Sequence, residues 1–120
     1  MNILLRLACT LVIGFASASA RAGECVVKPD RIQLTSDTVL LSFSIATGAQ
    51  CLQALKGKTM LIDSIKVLRA PTEGTVEFAG PAFRYIAPAK TGADTFELEV
   101  TGSDRGIRGA STVQVQVAVH

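Results

Sequence analysis

From Ser111 to His120 the chain reads STVQVQVAVH, with valine at 113, 115, 117 and 119 and Gln114, Gln116 and Ala118 between them. Alternation of period two sends successive side chains to opposite sides of an extended backbone. The segment is therefore expected to be a strand with one apolar face. The same signature recurs upstream. TVLLSFSI sets Val39, Leu41, Phe43 and Ile45 against Ser42 and Ser44, and TFELEV sets Phe96, Leu98 and Val100 against Glu97 and Glu99. Shorter runs are RIQLT near Arg31, DSIKVL near Ile65, TVEFA near Val76 and FRYIA near Tyr85. Turn residues punctuate them: TEG at Gly74, AGP at Gly80, PAKTG ending at Gly92 and GSDRG ending at Gly106.

About seven strands, each with one apolar face, cannot leave those faces in water. The expected solution is an all-β fold, an antiparallel β-sandwich of about seven strands in two sheets packed face to face. Each Val, Ile, Leu or Phe buried between the sheets contributes roughly 1.5–3 kcal/mol. One stretch resists the pattern. GAQCLQALKGKTML, from Gly48 to Leu61, is expected to form a short helical turn ending at Gly57 or an irregular crossover. The last segment admits two placements. At a sheet edge its unpaired backbone groups would template another strand. In the middle of a sheet, which a near-continuous valine face suits, none would be free.

The first residues have a different character. Arg6 precedes an apolar run from Leu7 to Ala16, and small residues follow through Ala20. This is the layout of a cleaved secretory signal peptide, with cleavage after Ala20 or after Ala22. The apolar run is about half the ~20 residues that a membrane-spanning helix needs. A lipoprotein is disfavoured because Cys9 comes too early and Cys25 follows Glu24. Residues 1–22 are thus expected to be the signal and 23–120 one domain, exported to the periplasm or secreted, with no membrane insertion after cleavage.

Export bears on charge and on cysteine. The whole chain is formally +2, and loss of Arg6 and Arg21 makes the mature chain neutral. Its remaining Lys and Arg are scattered, so nucleic acid and anionic lipid are poor candidate partners. Cys25 and Cys51 are expected to pair in an oxidising compartment. The loop closed would be about 26 residues, for which chain entropy gives roughly 3 kcal/mol.

The stretch P-x-x-G-T-V, then F-x-Y-x-A-P, then G-x-D-T-F-x-L-x-V, followed by T-V-Q-V-Q-V, resembles the bacterial immunoglobulin-like, cadherin-like domains of exported proteins. It covers Pro71 to Val119. The resemblance implies an immunoglobulin-like sandwich. Pro71 and Gly74 would mark the turn into a strand, Tyr85 and Pro88 the end of the next, and Gly92, Asp94 and Phe96 the opening of the one after. Such domains usually stand in tandem arrays. Here one is present, and its N-terminal half does not match the pattern clearly.

Residues equipped for catalysis are scarce. The one histidine, His120, ends the chain and is expected to fray into solvent, where no second group would orient it as a base. No G-x-S-x-G, H-E-x-x-H or P-loop occurs. No catalytic or cofactor-binding residue is therefore assigned, and the chain is not expected to be an enzyme. Cadherin-like domains hold calcium through acidic side chains. Asp94 and Asp104, helped by Glu73 or Asp37, are the residues to test, although calcium needs six to eight oxygens. The competing structural roles are that Asp94 caps backbone N–H groups at the turn entering its strand and that Asp104 belongs to an Asp-Arg-Gly turn. Phe43, Phe78, Phe83, Tyr85 and Phe96 are all expected in the core, leaving little aromatic surface for a sugar. The expected function is an exported binding or structural module that contacts an unidentified protein partner through a sheet edge or turn cluster. The alternatives are an inhibitor of a hydrolase and a calcium-dependent structural unit.

Overall fold

The computed structural model describes residues 31–55 and 59–120, which form seven strands and no helix. The strands are β1 (Asp37–Ile45), β2 (Gln50–Ala54), β3 (Met60–Arg69), β4 (Thr75–Ala79), β5 (Ala82–Ile86), β6 (Gly92–Asp104) and β7 (Ile107–Val119). They make two sheets, one ordered β1-β7-β6-β3 and the other β2-β5-β4. Burial follows the alternation. Val39, Leu41, Phe43 and Ile45 of β1, Phe96, Leu98 and Val100 of β6, and all four alternating valines of β7 are buried. The sheets meet through aromatic rings. Phe43 of β1 packs edge-on against Tyr85 of β5 at 5.8 Å, Phe83 of β5 edge-on against Phe96 of β6 at 5.5 Å, and Tyr85 stacks on Phe96 at 5.7 Å.

The two-sheet, seven-strand architecture matches expectation, but one strand has changed place. RIQLT is not a strand. Leu34 and Ser36 take left-handed φ values of 56° and 61°, which break an extended run. Their N–H groups bond to Ser111 Oγ at 2.9 Å and to the Ala110 carbonyl at 2.8 Å. The missing strand is β2, within the segment expected to be a helical turn or crossover. Gln50–Ala54 pairs antiparallel with β5 and buries Cys51 and Gln53. Leu, Gln and Ala favour a helix locally, but the partner strand decides.

Of the two placements open to the last segment, the structure has the central one, because β7 has a neighbour on both sides. Three further expectations are corrected. The fold is not wholly antiparallel, because β1 runs parallel to β7 in unbroken register from Asp37↔Ser111 to Ile45↔Val119. Phe78 is 41% exposed, because β4 lies at the edge of the smaller sheet. His120 does not fray. Its N–H donates to the Ile45 carbonyl at 2.9 Å and its carbonyl accepts from Thr47 N–H at 3.0 Å. The expected signal at 1–22, Cys25 and Gly57 lie outside the described residues.

Candidate functional site

The acidic residues singled out by the sequence lie at opposite ends of one strand. β6 begins beside Asp94 and ends on Asp104, ten residues later. At ~3.3 Å per residue the two are about 33 Å apart, so they do not share a ligand.

Asp94 is 3% exposed. One carboxylate oxygen accepts from Thr72 N–H at 3.0 Å, Thr72 Oγ1 at 3.2 Å and Thr95 N–H at 3.0 Å. The other accepts from Gly74 N–H at 2.8 Å, Tyr85 OH at 2.7 Å and, more weakly, Glu73 N–H at 3.4 Å. Both oxygens are filled by donors of the chain itself. Burial alone pushes its pKa up. The bonds from Tyr85, Gly74, Thr72 and Thr95 outweigh this and hold it below the ordinary 3.8. Tyr85 moves the other way. Burial, then the hydrogen bond to Asp94 and its charge, keep the phenol protonated and donating. Gly74 fits this arrangement because a Cβ there would collide with the Tyr85 ring. Asp94 therefore pins the 72–74 loop to the start of β6. It caps the turn entering β4 as well as its own strand.

Asp37 has a similar task at the start of β1. Its carboxylate accepts from Gln33 N–H and Thr35 N–H, each at 3.1 Å, and from Ser111 Oγ at 2.6 Å. Burial raises its pKa, but the bonds from Ser111, Thr35 and Gln33 bring the net value below 3.8. Ser111 is buried and also accepts from Leu34 N–H. Nothing in the sequence marked this hydroxyl, since its partners lie 74 and 77 positions away. Glu73 pairs with Lys90 at 3.1 Å beside a recess of about 150 Å³ that Gly92 and Val119 also line. The recess is smaller than the ~300 Å³ at which small-molecule sites begin. No metal-holding group of His, Cys, Asp and Glu occurs among the described residues.

The Asp104 end is built differently. β6 and β7 have 13 residues each, and the strands of the smaller sheet have five. Continuous burial stops at Gly102 and Ser111, so the hairpin end projects past the smaller sheet. Its two-residue turn has φ 53° at Arg105 and 80° at Gly106, the positive values that a type I′ turn requires. Gly102 pairs with Gly109 in the ladder. A Cβ at Gly102 would strike the Leu61 carbonyl, and one at Gly109 the Leu34 carbonyl. β3 flanks this end. Thr59 Oγ1 donates to Asp104 at 2.5 Å, Arg105 N–H reaches the Thr59 carbonyl at 3.4 Å, and Arg108 pairs with Asp63 at 2.7 Å.

Two large apolar side chains remain in water there, Leu61 at 70% exposed and Ile107 at 73%. Leu61 stands opposite Ser103, and Ile107 opposite Asp104. Ladder alternation therefore puts them on opposite faces of the same projecting end. The sequence offered one faint signal, an isoleucine just after a turn-forming Asp-Arg-Gly. Its exposure depends on how far the smaller sheet reaches. Cys51 is wholly buried on β2, in the smaller sheet.

No protein-family model matches the chain, and no curated protein does. Among solved structures, a sialyltransferase from Photobacterium damsela aligns with 69% of this chain at 13% identity and a TM-score of 0.42. The match takes in 18% of that enzyme's length, and a similarity of this size carries no argument about either fold or activity.

Proposed function

We propose that the chain is an exported, non-enzymatic module with an immunoglobulin-like sandwich that binds another protein through the projecting end of the β6–β7 hairpin. The observation that carries this reading is the exposure of Ile107 at the braced β6–β7 hairpin end and of Leu61 on β3 beside it, one on each face of that end. Exposed apolar side chains framed by charged residues are the usual make-up of a protein contact. The strand order supports the sandwich type. β3-β6-β7 facing β2-β5-β4 is the order of strands C, F, G and B, E, D in immunoglobulin domains. Export and the Cys25–Cys51 bridge belong to the same proposal. They are supported by the Arg6-led apolar run and by the complete burial of Cys51.

A second reading is favoured by the hairpin's shape: a narrow two-residue turn on a long ladder suits entry into the cleft of a hydrolase. The calcium-dependent reading has no such support, because both Asp94 oxygens are filled and Asp104 stands at the far end of β6. The test is affinity capture from the exported fraction with the wild-type protein and with Leu61→Ser/Ile107→Ser. A discrete partner retained by the first and lost by the second is expected. If that partner is a hydrolase whose activity falls on binding, the inhibitor reading holds. Identical recovery by both proteins would remove the hairpin end from consideration.

A further inference from the structure

Among the described residues, four strands lie at sheet edges, β1 and β3 in the larger sheet and β2 and β4 in the smaller. An edge strand offers unpaired N–H and C=O groups, and proteins usually blunt it with charge, bulges or shortness. β3 has two register shifts, at Ile62/Ser64 and at Val67/Arg69, and carries Asp63, Lys66 and Arg69. β2 and β4 have five residues each, and Glu77 sits at the centre of β4. β1 has none of these devices. It runs for nine residues in unbroken register with β7 and has no Pro, no Gly and no charge between Thr38 and Ile45. Its outward face presents Leu40, 48% exposed, with Ser42 and Ser44. The adjacent outward face of β7 is Gln114, Gln116 and Ala118, also uncharged. Among the described residues, β7 is its one sheet neighbour.

We propose that β1 is a self-pairing edge: two copies of the chain join their β1 strands antiparallel about a two-fold axis at Leu41, fusing two four-stranded sheets into one. A two-fold interface must be complementary to itself. Pairing β3 with its copy about Ile65 would have to cross two register shifts and would bring Lys66 beside its own copy, and pairing β4 would set Glu77 against Glu77. With the axis at Leu41, the central residue of β1, Val39 of one copy faces Phe43 of the other. Leu40 faces Ser42 on the outward side. The apolar face continues the core across the axis, and no charge meets its own copy. Because β1 and β3 are opposite edges of the sheet, this inference stands independently of the hairpin-end reading.

Sedimentation of the purified exported protein over a concentration series is the test. The wild type is expected to be a dimer that dissociates on dilution. Leu40→Lys/Ser42→Lys sets lysines against each other across the axis and should weaken the dimer about tenfold or more. Both positions are exposed in the single copy, so the melting temperature extrapolated to low concentration should hold. Leu40→Glu/Ser42→Glu should also be monomeric alone, and an equimolar mixture of the two variants should restore the dimer. Lys66→Glu, on the far edge, should leave it unchanged. A wild type that is monomeric throughout, a lysine variant that dimerises as tightly as wild type, or a mixture that stays monomeric would each overturn the proposal.

Discussion

The two ends of β6 carry the same chemical group and use it in opposite ways. At one end Asp94 is buried and takes three donors on each oxygen, so its negative charge ties a loop, a tyrosine and the strand start together. At the other end Asp104 is a hydrogen-bond partner of Thr59 beside a solvent-exposed turn, and the side chains left over there are apolar. A carboxylate that is buried and saturated is structural. A hairpin end that is well braced yet has Ile107, and Leu61 of the neighbouring β3, uncovered is the surface that the proposed function assigns to a partner. Residue type does not separate the two ends, whereas burial and donor count do.

The sharpest way to break this comparison is to remove both carboxylates in turn. Asp94→Ala strands buried donors, including Tyr85 OH and Gly74 N–H, and should destabilise the protein by about 3 kcal/mol or more. Asp104→Ala should change stability by about 0.5 kcal/mol, as surface substitutions do. Equal effects in urea unfolding would erase the distinction. Next in size is Gln116→Pro, opposite Thr95 near the Asp94 end. Because β7 is paired on both sides, the lost N–H always removes a ladder bond, and a loss of about 3 kcal/mol is expected by thermal melt. Tyr85→Phe should then cost about 1–2 kcal/mol, since it deletes one charge-assisted bond and leaves the rest of the Asp94 cluster in place.

A pH series sharpens the same contrast. Asp94 and Asp37 both have folded pKa values below the ordinary 3.8. The stability they contribute is complete above that ordinary value and is lost as pH falls through the lowered folded one. Denaturant midpoints should therefore fall steeply in strong acid, and the Asp94→Asn variant should show a shallower fall. Smallest of all in stability should be Leu61→Ser/Ile107→Ser. It is expected to leave the melt nearly unchanged while abolishing partner capture.

Where sequence reading succeeded, the determining interaction was local. Alternation in TVLLSFSI, TFELEV and STVQVQVAVH marked the apolar face of β1, β6 and β7 residue by residue, because side-chain direction in a strand depends on position parity alone. The turns at Gly74, Gly80, Gly92 and Gly106 were likewise visible. Where it failed, the deciding partner was distant. RIQLT alternates as well as any strand, yet Asp37 and Ser111 claim its backbone N–H groups instead. QCLQA reads as helical until β5 lies beside it. GSDRG reads as a turn, but Gly102, Ser103 and Asp104 are laddered to β7 on one side and β3 on the other, which leaves Arg105 and Gly106 alone as the turn.

The sequence by itself therefore determined the all-β class, the inward faces of the long strands and the places where the chain turns. These follow from backbone geometry and from the burial of every second side chain. Only the tertiary structure decided which strands are edges, which aspartate is saturated and which apolar side chains stay wet. Each of these depends on what another part of the chain covers, and coverage is a property of the packed sheets that no window along the chain contains.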